Sequence, residues 1–308
     1  MKWMVKAFVQ NCLSVLPEKI SGDLYYKVQS KYGGISRFSP KSRILAADRI
    51  CSEIMLSGED IEGKTFFEVG TGRVLISEVI YWLHGAEKTY TYDLNNYLKP
   101  ELNLKTVSEL LNADEYQDVR SRFSASRLAL LRELSDSELL DDESLCELCS
   151  IHYHAPADAS RTKLPDRCVD FHVSHHVFEH IPSAVLSNIL SEAKRIISSP
   201  GVLVHKIDYI DHFWYADKSI SKINFLKYSD MAWKLIAGNR YMYMNRLRHK
   251  DYKLIFSDLG FTNMVTRKDD DMENTLGMIS KVDLHLDYQN LADEEFTVVG
   301  AWWIARFG

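Results

Sequence analysis

The chain has 308 residues, 46% of them hydrophobic, and a formal net charge of −6 with a pI near 6.0. That length buries a sizeable core, as one large domain or one domain with a cap. The acidic balance offers no basic field, so nucleic acid is not expected as a partner, and five scattered cysteines suit a reducing compartment rather than a disulfide scaffold.

Residues 1–60 read as a helical, aromatic cap ahead of the main domain, 61–308. The first residues, Met1 to Val9, are mildly basic and apolar but lack a small-residue cleavage site, so no leader is expected and the location reads as cytoplasmic. No apolar run approaches the ~20 residues of a membrane span. An amphipathic first helix leaves two readings open: peripheral membrane contact, or packing on the domain's own surface.

Thr65-Phe66-Phe67-Glu68-Val69 is an apolar run closed by an acid, then by Gly70 and Gly72. A helical pattern follows through Val74, Leu75, Val79, Ile80 and Leu83. This is strand, tight turn, helix, and the glycines let a ligand lie against main-chain N–H groups. The next run, Lys88 to Tyr92, ends at Asp93, where an acid at the tip of a second strand holds ribose hydroxyls or serves as a plain turn residue. Residues 94–150 carry helical spacing and an acidic run, and are read as a helical insertion forming a lid. Cys146 and Cys149 have no second pair to complete a zinc site and read as ordinary helix residues.

The chain then holds Ala157-Asp158-Ala159, the run Leu164 to Ser174, and His175-His176-Val177-Phe178-Glu179-His180. A helical pattern over Val185 to Ile197 and a strand from Val202 to Asp208 follow. Beyond these lie an aromatic stretch to His249, a helix ended by Gly260, a strand near Thr262 to Thr266, and a last buried strand in Phe296 to Ala305. Alternating strands and helices argue a mainly parallel sheet covered on both faces.

The dinucleotide fingerprint G-x-G-x-x-G fails after Gly72, where Arg73, Val74 and Leu75 stand. Glu68, Gly70 and Gly72, then Asp158-Ala159, Leu164-Pro165, Asp170-Phe171 and Glu179-His180 in that order, resemble class I S-adenosylmethionine (SAM) methyltransferases of the type-11 branch. The resemblance runs from Thr65 through Asp208, and Val74 takes the family's third glycine position. It implies a Rossmann-like α/β fold with a seven-stranded sheet and an antiparallel last strand. It also implies SAM as cofactor, with Glu68, Gly70 and Gly72 toward the methionine end, Asp93 on the ribose, and Ala157 and Asp158 on the adenine. Ser174 is counted with the cofactor residues.

A hydroxyl acceptor requires a proton acceptor, which is sought at the carboxyl ends of the fourth and fifth strands. His212 is the preferred base with Asp211 orienting it, and His176 is a second catalytic candidate. Asp208, Asp211 and a histidine could hold magnesium through hard oxygens, but no metal is expected. Arginines 240, 246 and 248 could grip an anionic group of the acceptor or pair on the surface. The expected reaction is O-methylation of a sugar, glycan or lipid-linked glycan in polysaccharide biosynthesis. O-, N- or C-methylation of another small metabolite is the first rival, and a non-catalytic SAM-fold scaffold, favoured by Val74, is the second. Oligomeric state is not legible.

Overall fold

The computed structural model describes residues 2–32, 39–137, 139–271 and 282–307. Its centre is a sheet of β1 (Thr65–Val69), β2 (Lys88–Tyr92), β3 (Ile151–His154), β4 (Val169–His175), β5 (Ile197–Asp208), β6 (Phe261–Asp270) and β7 (Val298–Phe307). Among the described residues these form one seven-stranded sheet in the order β3-β2-β1-β4-β5-β7-β6. The first five strands pair in parallel, and β7 runs antiparallel between β5 and β6. β1 is buried along its whole length, as a central parallel strand covered on both faces should be.

The helices are α1 (Trp3–Ser14), α2 (Glu18–Tyr32), α3 (Pro40–Leu56), α4 (Ile76–Leu83), α5 (Pro100–Asn112), α6 (Gln117–Arg120), α7 (Ala125–Asp136) and α8 (Asp142–Leu148). After them come α9 (Ser183–Ile196), α10 (Asp230–Ala237), α11 (His249–Asp258) and α12 (Asp293–Thr297). Side chains alternate across a strand, and the neighbours Phe66 and Phe67 accordingly enter different cores. Phe66 packs with residues of α3, α4 and α5 on one face, and Phe67 with Leu186 and Leu190 of α9 and Phe256 of α11 on the other.

The helical insertion packs against the sheet. Val107, Leu110, Leu131 and Leu145 of α5, α7 and α8 join the Phe66 core, so these helices thicken one face of the sheet. Cys146 and Cys149 sit there as free thiols. A third core gathers Ala7 of α1, Phe213, Phe225, Trp233 of α10 and Met242. The α1 helix is tied to it: the Trp3 amide donates to Asp217 Oδ2 at 3.1 Å, and the Asn11 amide donates to the Leu235 and Ile236 carbonyls.

Candidate active site

The order of strands reverses between β1 and β4, which opens a crevice at their carboxyl ends. The turn after β1 shapes its floor. Gly70 and Gly72 both adopt positive φ, +86° and +73°, a region that side chains with a Cβ rarely enter. The Gly70 amide donates to the Tyr92 carbonyl at 2.8 Å, and a Cβ there would stand 2.5 Å from Val177 Cγ2. The Gly72 amide donates to Asp93 Oδ2 at 2.9 Å, and the Asn95 amide donates to Asp93 Oδ1 at 3.0 Å. Burial raises the Asp93 pKa against these lowering hydrogen bonds.

A cavity of about 640 Å³ rises from this floor. Gly70, Gly72, Asp93, Ala157, Asp158 and His176 all lie on its wall, so the structure brings six of the expected site residues together. Val177, Ile181, Val185 and Ile189 add an apolar side, and Tyr241, Met242 and Tyr243 add another. One basic residue was not legible from the sequence. Arg43 of α3 lines the same cavity, with Nη2 3.6 Å from where a Cβ on Gly72 would be. Nothing local marks an arginine thirty residues before the turn; only the docking of α3 against α4 delivers it.

Two expected cofactor contacts do not reach the cavity. Glu68 is buried under the turn, where burial and the neighbouring Glu78 carboxyl push its pKa well up. Burial likewise raises Glu78, to about 7. Two acids packed together in low dielectric favour holding protons over facing a ligand as carboxylates. Ser174 is also fully buried, with its hydroxyl 2.8 Å from His205 Nδ1. It points into the Phe178–His205 side of the sheet, and its hydroxyl is spent on His205. Val74, at the third glycine position, is buried in the Phe66 core and does not crowd the cavity wall.

The catalytic expectation changes in its pairing. Asp211 does not orient His212. Its carboxylate is fully buried and accepts from the Phe213 amide at 2.8 Å and the Asn224 side-chain amide at 3.1 Å; burial raises its pKa to about 6. The carboxylate beside His212 is Asp208, whose Oδ2 is 3.3 Å from His212 Nε2. Asp208 also accepts from the Tyr215 hydroxyl at 2.7 Å and the Ile210 amide at 2.9 Å. Burial would raise its pKa, but His212 and Tyr215 hold it down at about 2. The His212 ring stands behind His180 at 4.8 Å between centroids, one side chain back from the cavity wall.

His176 does reach the wall. It holds a left-handed backbone, φ 56°, a strained conformation for a residue with a Cβ. Its Nδ1 lies 3.3 Å from Glu179 Oε1 and 3.8 Å from Asp208 Oδ2. Glu179 sits in a 3-10 turn, Phe178–His180, and is buried although neither carboxylate oxygen finds a hydrogen-bond partner. Beside it, His180 Nδ1 is 2.8 Å from the Tyr243 carbonyl.

Two of the three arginines weighed for an anionic acceptor serve the fold. Arg248 is buried and donates to the carbonyls of Tyr209, Glu295 and Val298. Arg246 donates to the carbonyls of Phe225 and Tyr228 and pairs with Asp230. Arg240 stays at the cavity and borders a second one of about 830 Å³, which Arg73, Lys99, Tyr25, Tyr26 and Tyr97 also line.

The residues present fit SAM. Asp93, an apolar wall with an exposed acid at Asp158, and a cation at Arg43 would suit its ribose, adenine and carboxylate in turn.

The family model described as a methyltransferase domain (type 11) matches residues 128–205. No curated protein matches the chain. Among solved structures the chain is similar to geranyl diphosphate C-methyltransferase from Streptomyces coelicolor, at 11% identity over 85% of this chain and 78% of that one, with a TM-score of 0.46. It is similar also to phosphoethanolamine N-methyltransferase 2 of Haemonchus contortus, at 11% identity over 91% and 59%, TM-score 0.45. A SAM-dependent methyltransferase from Mesorhizobium loti aligns at 12% identity over 83% and 96%, TM-score 0.41. The matched residues run from α7 through most of β5, and the sheet order and glycine turn described above agree with a SAM-dependent methyltransferase domain.

Proposed function

We propose that the enzyme methylates a hydroxyl of a sugar, glycan or lipid-linked glycan. SAM supplies a methyl group already activated on a sulfonium. The protein then aligns the acceptor, excludes water and takes a proton. Alignment alone lowers such a barrier by about 7–11 kcal/mol, and a positioned base adds roughly 10²–10⁴-fold.

One observation carries the hydroxyl reading: His176 on the cavity wall, with Nδ1 3.3 Å from the buried Glu179 carboxylate. A buried carboxylate this close to an imidazole stabilises the imidazolium by its charge. An amine acceptor has no need of that device, since its lone pair attacks without prior proton loss. The aromatic and cationic wall of the second cavity supports a sugar with a phosphate-bearing tail. Aromatic faces stack on sugar rings, and Arg73, Lys99 and Arg240 would pair with phosphate.

In this reading Arg43 grips the carboxylate of SAM, Asp93 takes the ribose hydroxyls, and Ala157 and Asp158 meet the adenine. The α1 helix keeps Met4, Val5 and Phe8 exposed, and peripheral contact of that face with a membrane would bring the enzyme to a lipid-linked acceptor. Among the described residues no helix is long and apolar enough to cross a membrane.

The test is transfer of labelled methyl from SAM to cell-envelope glycans and lipid extracts of the source organism. Label in a base-stable ether on a glycan is the expected result. Label found on amine metabolites alone would overturn the reading. His176→Ala should lower kcat by about 10²-fold or more with SAM affinity nearly unchanged.

A further inference from the structure

His176 and the four side chains behind it form a tighter group than a single base requires. They come from the end of β4 (His176), the 3-10 turn after it (Glu179, His180), the end of β5 (Asp208) and the turn beyond (His212). Ligand-type atoms of His176, Glu179 and Asp208 all lie within 4.8 Å of one another, and so do those of Glu179, His180 and His212. The two sets share Glu179. Three measured separations are 3.3 Å for His176 Nδ1 to Glu179 Oε1, 3.8 Å for His176 Nδ1 to Asp208 Oδ2, and 3.3 Å for His212 Nε2 to Asp208 Oδ2. A cation bound at about 2.1 Å spaces neighbouring ligand atoms roughly 3.0–3.4 Å apart in octahedral or tetrahedral geometry. The cluster is already close to that spacing.

Charge and unmet bonding point the same way. Glu179 is 1% exposed and Asp208 is 4% exposed, and among the described residues neither forms an ion pair with a lysine or arginine. Both Glu179 oxygens and His212 Nε2 are buried without a hydrogen-bond partner. Two buried carboxylates need compensating positive charge. Imidazole protons can supply part of it. One dication supplies all of it and satisfies the orphaned atoms at once.

We propose that His176, Glu179, Asp208 and His212 bind one divalent transition-metal cation, with His180 within reach as a fifth ligand. This replaces the expectation of no metal, and it differs from the Asp208–Asp211 magnesium set in composition: Asp211 is spent on Phe213 and Asn224. Mixed imidazole and carboxylate donors suit manganese, iron, cobalt or zinc better than magnesium, which prefers oxygen. His176 and His180 line the cavity, so the ion stands at its wall, where it polarises an acceptor oxygen; with the ion bound at Nδ1, His176 acts as a ligand and the ion takes over from the imidazole in activating the hydroxyl. That use rests on the hydroxyl-acceptor reading; the binding of the ion does not.

The experiment uses untagged full-length protein, stripped with a chelator and titrated with cobalt(II) chloride. The expected result is a visible d–d absorption saturating at one cobalt per chain, with a melting temperature that rises with cobalt concentration. His212→Ala and Glu179→Gln should each weaken cobalt binding at least tenfold. SAM calorimetry on each variant reports an intact fold, because neither residue lines the cofactor cavity; a variant that fails this check is replaced by His176→Gln, read by the same absorption. No cobalt absorption and no melting shift in the wild type overturns the site. Saturation at one equivalent with unchanged affinity in the variants also overturns it. Methyl transfer that persists after chelation while cobalt binding is confirmed removes the catalytic use and leaves the site standing.

Discussion

Asp93 Oδ2 accepts a hydrogen bond from the Gly72 amide at 2.9 Å, which ties the tip of β2 to the second glycine of the β1 turn. The acid is thus held in place by the turn it works beside. Asp93→Asn keeps an acceptor for that amide but removes the charge. A charge-assisted hydrogen bond contributes about 1.5–3 kcal/mol, so SAM affinity should fall roughly 10–100-fold by calorimetry, with little change in melting temperature. A variant that binds SAM at wild-type strength would remove Asp93 from the ribose site.

Gly70 should tolerate no side chain. Its φ of +86° and the 2.5 Å approach of a Cβ to Val177 Cγ2 act together. Gly70→Ala should cost about 1–3 kcal/mol of stability, read as a lower urea midpoint. Adding Val177→Ala relieves the contact but not the backbone, so the double variant should recover part of the loss.

Arg43 reaches the cavity from outside the recognised domain. Arg43→Ala should weaken SAM binding about tenfold or more through loss of the carboxylate partner, and Arg43→Lys should restore only part of it because a single ammonium lacks the planar fork. Equal affinity in wild type and Arg43→Ala would place the carboxylate elsewhere.

Glu78 gives stability a pH slope. Its folded pKa, raised by burial to about 7, lies above the ordinary carboxyl value of 4.5. The native state therefore binds more protons than the unfolded state between those values, and stability is lost as pH rises through them. Glu78→Gln cannot ionise. Its melting temperature relative to wild type should rise between pH 5 and pH 8, by an amount on the order of 1–3 kcal/mol when converted to stability. A parallel pair of pH profiles would show that Glu78 titrates normally in the fold.

Membrane contact through α1 predicts that the enzyme co-sediments with phosphatidylglycerol vesicles. Phe8 is 70% exposed, so Phe8→Glu should abolish sedimentation without lowering the melting temperature. Sedimentation unaffected by Phe8→Glu, or absent in wild type, would assign α1 to packing alone.

Much of the architecture was legible because it depends on local signals. An apolar run, two glycines and an amphipathic pattern specify strand, turn and helix through short-range sterics, and so the turn that places Gly70, Gly72 and Asp93 on the cavity is legible in the sequence. The order of motifs carried the cofactor in the same way. The burial of Ser174 and Glu68 away from the cavity lining was not legible. Sequence proximity to a motif does not say how deep in the sheet a strand residue sits or which buried partner it meets.

Asp208, Glu179 and Arg43 show where chain order stops being informative. The residue next to His212 in sequence is Asp211, but the turn after β5 sends that carboxylate inward to the Phe213 amide and leaves Asp208 beside the imidazole. Helical spacing in 94–150 marks an apolar face without naming what covers it; the structure puts α5, α7 and α8 on the sheet. By itself the sequence determined the fold class, the glycine turn and the SAM chemistry, since these rest on backbone freedom and residue type at fixed spacing. Only the tertiary structure decided which carboxylate serves which histidine and which arginine enters the cavity, because side-chain partners across separate elements are chosen by packing, and packing is a property of the whole chain.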